Sequence, residues 1–536
     1  MHITIFTASL DFNVRWGVIT LAQHFPDYRF SIVQQVAHKT PMILLRNQVR
    51  NIKRHGWRWI PYQGMEIAGL LAQRVLPRAA CPASPDRPGQ MFSASALASH
   101  PRITVKKFDA INGPAACAYV REQNPDLGIA LGAPILKEAL FALPRLGTIN
   151  LHKGRLPDFR GMPPAFWELN SGAASVGCTV HRVAAGLDTG DILLASEVPI
   201  DQFSTVAGVQ VKLHRLGVEL VTEAVAQIVA GTAQFSKQPA GGSTNTRPTL
   251  ALERRLKARL AARDPSRGGP LKTVGKQLMF SSYAAAASVV NFWHGMTGRQ
   301  RVIILLYHRV SDQFRDNVTI GIEQFDRQMA YLSNNCTLVS LKQIVAGDIP
   351  RNSKKPVIAV SFDDGYLDNY ENAAPILIKH QVPCTFFIST DKIRDNQPFD
   401  HDMRALGFGL DNMSWDQVRQ MRDWGLHFGS HTRNHVNLAE VDDATAHEEL
   451  LGSLEDIRSE LQQDQVFMAF PYGRKKHTTP ARIETMKQLG YAACFSAYGG
   501  LNTADMDLFN IQRIGVNWAF DLPALRARLR GWDKTQ

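Results

Sequence analysis

Cysteine is scarce in this chain. Six residues (Cys81, Cys117, Cys178, Cys336, Cys384 and Cys494) are scattered over 536 positions without a CxxC pair. That excludes a disulfide scaffold and a zinc ribbon, and it fits a reducing compartment. No run of about 18 apolar residues occurs, so no transmembrane helix is expected. The opening MHITIFTASLDFNVRW lacks a basic stretch followed by an apolar stretch and a small-residue cleavage site, so no secretory signal is expected either. No short-period repeat is present. With 45% hydrophobic and 20% charged residues, global disorder is excluded as well.

What is present is an uneven charge. The net +12 comes from 60 Lys and Arg against 48 Asp and Glu. Between Arg247 and Arg301 stand 11 basic residues against Glu253 and Asp264, a local +9. Most of the excess therefore belongs to one segment, unlike a uniformly basic nucleic-acid binder.

At roughly 150 residues per domain, the length suits three to four units, or two large ones with a connector. Residues 2–245 alternate strand-like runs (HITIFTA, YRFSIVQ, DLGIALG, GTINLH) with helical spacing in ILKEALFALP and VAGVQVKLHRLGVELVTEAVAQIVAG. Such alternation predicts an α/β fold with a mostly parallel sheet covered by helices. CPASPDRPGQ (81–90) reads as a surface loop. The polar stretch SKQPAGGSTNTRPT (236–249) breaks the pattern, and the first domain is placed at 1–245. Residues 246–300 read as a basic helical connector, with LALERRLKARLAARD amphipathic and KQLMFSSYAAAASVVNFWHG after it. Packing between domains is the plain reading of this connector; contact with an anionic membrane surface is the sharper one. From 301 to 536 alternation resumes, with VIILLYH, PVIAVSF, PCTFFIS, LHFGSH, VFMAFP and YAACFS as buried strands, which suits a barrel-like α/β domain.

In the first half, Asn150 and His152 alternate on one strand and so share a face. An amide donor beside an imidazole suits an oxyanion formed at a carbonyl. Asp188, in a Gly-Leu-Asp-Thr-Gly turn, offers a carboxylate for proton transfer. Leu156-Pro157, Arg160-Gly161 and Pro163-Pro164 stand at fixed offsets from the pair. This combination resembles the folate-dependent formyltransferase family, which includes methionyl-tRNA, glycinamide-ribonucleotide and nucleotide-sugar formyltransferases. The resemblance implies a Rossmann-like formyltransferase domain, a catalytic trio of Asn150, His152 and Asp188, 10-formyltetrahydrofolate as donor and a primary amine as acceptor. Asn150 and protonated His152 would hold the tetrahedral oxyanion, and Asp188 would assist proton removal. Gly154-Arg155-Leu156-Pro157 replaces the family's Ser-Leu-Leu-Pro next to the site, which leaves the acceptor open.

In the second half, SFDDG (361–365) ends a buried strand at two adjacent carboxylates. Two acids at the C-terminal end of a barrel strand suit metal binding and general-base work. HTRNH (431–435) puts His431 and His435 four apart, and His427 stands four before them; Gly429-Ser430 interrupts any helix, which favours the later pair. Two histidines and one carboxylate make three ligands with a position left for water, as in zinc hydrolases. With FPYG (470–473) and LLYHRV (305–310), these motifs resemble the polysaccharide deacetylase (NodB-homology) family. The resemblance implies a distorted, incomplete β/α barrel. It makes Asp363 the general base and gives the metal, zinc by preference, to Asp364, His431 and His435. The backbone N–H of Tyr472 would serve the oxyanion. The family's base-orienting arginine is missing before Phe470, and Arg513 in IQRIGV is its candidate replacement. No late histidine supplies a general acid.

Together the halves imply a bifunctional enzyme of amino-sugar or polysaccharide metabolism, forming an amide at one site and hydrolysing one at the other. The substrate class is an amino sugar on a nucleotide, a lipid or a polysaccharide. Formyl-folate supply implies the cytoplasm, and peripheral membrane contact belongs only to the sharper reading of the connector. The alternatives are a formyltetrahydrofolate hydrolase, a tRNA formyltransferase, or a carbohydrate-binding chain with degenerate sites. A nucleic-acid partner is disfavoured because the deacetylase-like half stands where an RNA-binding domain is expected.

Overall fold

A computed structural model describes residues 1–36, 48–53, 86–264, 301–350, 353, 355–503 and 505–529. The chain divides into two compact units, Met1–Arg78 with Met91–Arg263, and Ala79–Gln90 with Asp264–Gln536.

The first unit is built on β1 (His2–Thr7), β2 (Arg29–Gln35), β3 (Ile103–Phe108), β4 (Leu127–Ala130), β5 (Thr148–His152), β6 (Phe159–Gly161), β7 (Ser175–Arg182), β8 (Ile192–Pro199) and β9 (Ser243–Asn245). Its main sheet has the order β3-β2-β1-β4-β5-β7-β8. The pairs from β3 to β5 are parallel, and β7 and β8 continue antiparallel. This is a Rossmann-like sheet, with β1 and β4 at the point where the strand order reverses. Ile3, Ile5, Phe6, Ile32, Val33 and Ile129 are fully buried, as strands covered on both faces require. The helix Val206–Ala230 starts at a Thr205 cap, stops at left-handed Gly231 and packs on β7 and β8 through Val209, Leu213, Leu220 and Ala224. The helical spacing of ILKEALFALP yields one turn, Glu138–Phe141, because Pro144 bars continuation.

The second unit contains β10 (Arg301–Tyr307), β11 (Arg309–Val310), β12 (Thr319–Ile320), β13 (Thr337–Leu338), β14 (Val357–Phe362), β15 (Cys384–Ile388), β16 (His427–Ser430), β17 (Phe467–Ala469), β18 (Ala493–Phe495), β19 (Asn502–Thr503) and β20 (Ile514–Gly515). The order β18-β17-β16-β15-β14-β10-β19 is parallel up to β10. An irregular segment then spans the seam. Ile511 bridges to Phe495 of β18, and Ile514 pairs with Leu305 of β10. The result is a distorted, incomplete β/α barrel whose carboxyl strand ends carry the loops.

Two boundaries differ from the sequence reading. The helix Leu250–Ala262 belongs to the first unit, where Leu250, Leu256 and Leu260 are buried and the Arg259 guanidinium donates to Leu169 O at 2.6 Å. Its apolar stripe has a core to join. Residues 86–90 of the expected surface loop belong to the second unit, where Pro88 and Gly89 are buried and Gly89 N–H donates to Trp424 O at 2.7 Å. The stretch 276–295 of the expected connector lies outside the described residues. Among the described residues no helix is long and apolar enough to cross a membrane.

Candidate active sites

In the first unit, β5 delivers Asn150 and His152 to one face, and the turn after β7 brings Asp188 to them. His152 Nδ1 lies 3.5 Å from Asp188 Oδ2, and Asn150 Nδ2 lies 3.4 Å from Asp188 Oδ1. The three-residue strand β6 is the ledge that holds the group. Phe159 O accepts from His152 Nε2 at 2.7 Å, and Gly161 N–H donates to Asp188 Oδ2 at 3.0 Å. Gly154 keeps this ledge close, because a Cβ there would lie 2.6 Å from His152 Nε2 and 2.7 Å from Phe159 O. The glycine that replaces the family's serine therefore has a steric reason.

His181, which the sequence reading passed over, completes the constellation. It faces Asn150 in the β5–β7 register. Its Nδ1–H donates to Arg182 O at 2.9 Å, which leaves Nε2 to accept from Asn150 Nδ2 at 3.0 Å. The Asn150 amide is thus turned with its N–H groups toward His181 and Asp188. Service as an oxyanion donor requires the amide to give up those bonds. Protonation of His152 is held back in the free protein. Burial pushes the ring below its ordinary pKa, more strongly than Asp188 and the Phe159 carbonyl raise it, which favours the neutral form. Burial pushes Asp188 up, but His181, His152 and the Gly161 N–H outweigh that and leave it below the usual range.

In the second unit, buried β14 ends at Asp363 and Asp364, β16 ends at His431, and the loop beyond carries His435. Asp364 Oδ1 lies 3.4 Å from His431 Nε2 and 3.4 Å from His435 Nε2. These residues are the grouping of possible metal-ligating side chains among the described residues. His427 opens β16, at the strand's other end, and is outside that grouping.

The donor set fits a divalent ion. Asp364 Oδ1 is buried without a hydrogen-bond partner, an arrangement that a cation satisfies. His431 Nδ1–H donates to Ala469 O at 2.7 Å, which leaves Nε2 as the nitrogen a metal ion would take from the neutral ring. Left-handed backbone at Asp364 (φ 79°), Thr432 (φ 64°), His435 (φ 60°) and Tyr472 (φ 62°) concentrates strain around the same spot. The Tyr472 ring stands 5.0 Å from that of His435 and is exposed.

Arg513 comes from the barrel seam. Its Nη1 and Nη2 donate to Asp363 Oδ1 and Oδ2 at 2.6 and 2.8 Å, while Nε donates to Ser496 O at 3.1 Å. Two further imidazoles flank the carboxylates, His308 of the LLYHRV stretch and His401, which no motif includes. His308 lies in the field of Asp364 and Asp363, and burial, outweighing both, lowers its pKa. His401 Nε2 lies 4.0 Å from Asp364 Oδ2 and 2.8 Å from the Tyr366 hydroxyl, which donates to Asp402 at 2.7 Å. His308 is signalled only by its place in LLYHRV after a core strand, and His401 has no local signal in its stretch.

Family models identify a formyl transferase domain in the first half of the chain and a polysaccharide deacetylase domain in the second. The family model described as formyl transferase matches residues 84–225, and the one described as polysaccharide deacetylase matches residues 350–494. Among curated relatives, the methionyl-tRNA formyltransferase of Geobacter metallireducens is 34% identical over 161 residues, covering 29% of this chain and 52% of that protein. That of Pseudomonas fluorescens is 34% identical over 194 residues, covering 32% of this chain and 61% of that protein. The chain thus spans about half the length of the first such relative. Among solved structures, the Streptococcus pyogenes deacetylase PplD is 22% identical with a TM-score of 0.37, covering 42% of this chain and 97% of that one. A sugar N-formyltransferase from Shewanella is 17% identical with a TM-score of 0.31, covering 48% of this chain and 86% of that one.

Proposed function

We propose that the chain is a bifunctional enzyme of amino-sugar or polysaccharide metabolism. Its first unit transfers a formyl group from 10-formyltetrahydrofolate to a substrate amine, and its second hydrolyses an N-acyl group on a carbohydrate. One observation carries the reading. Two separate sets of groups suited to a nitrogen-bound carbonyl converge in one chain, the Asn150–His152–Asp188 set and the set of Asp363 beside Asp364, His431 and His435.

At the first site, bound 10-formyltetrahydrofolate supplies the formyl carbon. His152 keeps its Nε2 proton on Phe159 O, so the neutral ring has Nδ1 to take a proton from the amine, with Asp188 Oδ2 3.5 Å away to stabilise the imidazolium. Asn150, with its amide turned, donates an N–H to the oxyanion; as the intermediate collapses the bond from the formyl carbon to N10 breaks and the proton held on His152 passes to N10, releasing tetrahydrofolate.

At the second site, Asp364, His431 and His435 would hold a divalent ion, with zinc favoured by two imidazoles and one carboxylate. The ion supplies Lewis acidity toward water and a carbonyl oxygen when bound. Asp363, its oxygens fixed by Arg513, takes a proton from the attacking water. The Tyr472 backbone N–H donates to the oxyanion, and as the C–N bond breaks the proton taken up by Asp363 passes to the leaving nitrogen, giving the free amine and a carboxylate.

The proposed substrate is one amino sugar that meets both sites, deacetylated first and then formylated, in the cytoplasm. Incubating the full chain with N-acetylated sugar nucleotides or lipid-linked sugars, a formyl donor and zinc tests this by mass spectrometry. Loss of acetyl and gain of formyl are expected; absence of both products contradicts it. A tRNA acceptor is the second reading, favoured by the names of the curated relatives. Initiator tRNA offered in competition discriminates. Folate turnover without any amine acceptor would instead mark a formyltetrahydrofolate hydrolase.

A further inference from the structure

The stretch 236–249 has the polar, glycine-containing composition of a linker, yet it is bonded into the first site. Gln238 Nε2 donates to Asp188 O at 2.9 Å and to Gly190 O at 2.7 Å, and its Oε1 accepts from Arg160 Nη2 at 2.9 Å. Arg160 Nη1 also donates to Gly241 O at 3.1 Å. Just beyond, β9 pairs with β6, and a Cβ on Gly242 would fall 1.9 Å from Pro157 O. The segment lies flat against the loop that carries the ledge.

These bonds close a ring around Asp188. Gly161 of β6 holds the carboxylate, Arg160 of β6 holds Gln238, and Gln238 holds the backbone on both sides of Thr189. Asp188 needs such support because its φ is +53°. A left-handed non-glycine residue costs on the order of 1–3 kcal/mol and persists only where its surroundings over-determine it.

We propose that Gln238 is a positioning residue of the formyl-transfer site, fixing the turn that aims Asp188 at His152, and that residues 236–246 are part of that site. This rests on the formyl-transfer reading above. The side chain touches no reacting atom; it acts through Asp188.

The test uses the full chain with Gln238→Met, which keeps the length of the side chain and removes its amide. kcat for formyl transfer to an amino-sugar acceptor is expected to fall about 10²-fold, the typical result of a displacement near 1 Å, with KM for the formyl donor unchanged. In an Asp188→Asn background the same substitution is expected to add no further loss, because groups acting as a unit are not additive. Wild-type kcat in Gln238→Met, or a loss that multiplies fully onto Asp188→Asn, overturns the proposal. If Gln238→Met does not fold, Gln238→Asn, which reaches one carbonyl at most, takes its place with a smaller loss expected. Carbon-13 NMR titration of the Asp188 carboxyl gives a readout without activity. The carboxyl is expected to titrate at higher pH in the variant than in wild type, and an unchanged titration overturns the positioning role. If the wild-type chain transfers formyl to no amine, the functional reading fails while the titration still decides on Gln238.

Discussion

Arg513 closes on Asp363 from 150 positions downstream, with one guanidinium nitrogen on each carboxylate oxygen at 2.6 and 2.8 Å. The pair is buried, and Asp363 sits one residue from a candidate metal ligand. Bidentate contact fixes which way the Asp363 carboxylate faces and would keep it from turning onto an ion held by Asp364. Lysine keeps the charge but not the fork. Arg513→Lys is therefore expected to lower the deacetylation rate about 10²-fold while bound metal stays at the wild-type level. Metal analysis beside a rate assay checks it. Loss of metal in this variant would place Arg513 in ion binding instead.

The ligand assignment predicts a different pattern for its own residues. Asp364→Ala and His431→Ala are expected to lose both bound metal and hydrolysis, because each removes a ligand from a set of three. Inductively coupled plasma mass spectrometry after dialysis reads the metal directly. A variant with full metal content contradicts the assignment.

In the first unit, Asn150→Ala is expected to lower formyl transfer by about 10²–10³-fold, the usual effect of removing one such polar group. Deacetylation by the same sample should be untouched. Full formyl-transfer activity would remove Asn150 from the constellation.

Glu168 gives a pH dependence of stability. It is buried in the helix Phe166–Ser171, and burial raises its pKa from 4.5 to about 7. A raised folded-state pKa means that the folded protein holds the proton over a range where the unfolded chain has lost it. The associated stability is full below pH 4.5 and declines as pH rises through about 7. The difference across that window is on the order of 3 kcal/mol at 1.36 kcal/mol per unit. Glu168→Gln is expected to flatten that decline and to be the more stable protein at pH 8. Denaturant titrations of both proteins at several pH values check this, and parallel pH profiles contradict it.

Legibility in the sequence followed the range of the interactions. β14 and its paired acids, β16 and its histidine, and the alternation of Asn150 and His152 on β5 are local patterns, readable from a period of two and a strand end. Arg513 was open to inference because IQRIGV looks like a strand, although its position in the barrel seam is set by Ile511 and Ile514 pairing with distant strands. His181 was hidden because a histidine on a core strand gives no sign of its neighbour across the sheet. His401 depends on Tyr366 and Asp402, which no spacing rule connects to it. Gln238 was masked by composition, since a polar stretch that hydrogen-bonds to a site looks the same as one that spans solvent. For the same reason composition ends the first domain at 245, whereas the helix that buries Leu256 groups with the first unit.

The account turns on both units acting on the nitrogen of an amino sugar. The most direct measurement follows one N-acetylated amino sugar by mass spectrometry in the presence of the full chain, zinc and 10-formyltetrahydrofolate. The account predicts the free amine first and the formamide second, with His431→Ala stopping at the starting material and Asn150→Ala stopping at the amine. A formamide that appears in full with His431→Ala, or wild-type protein that leaves both the acetyl group and an added free amine unchanged, would contradict it.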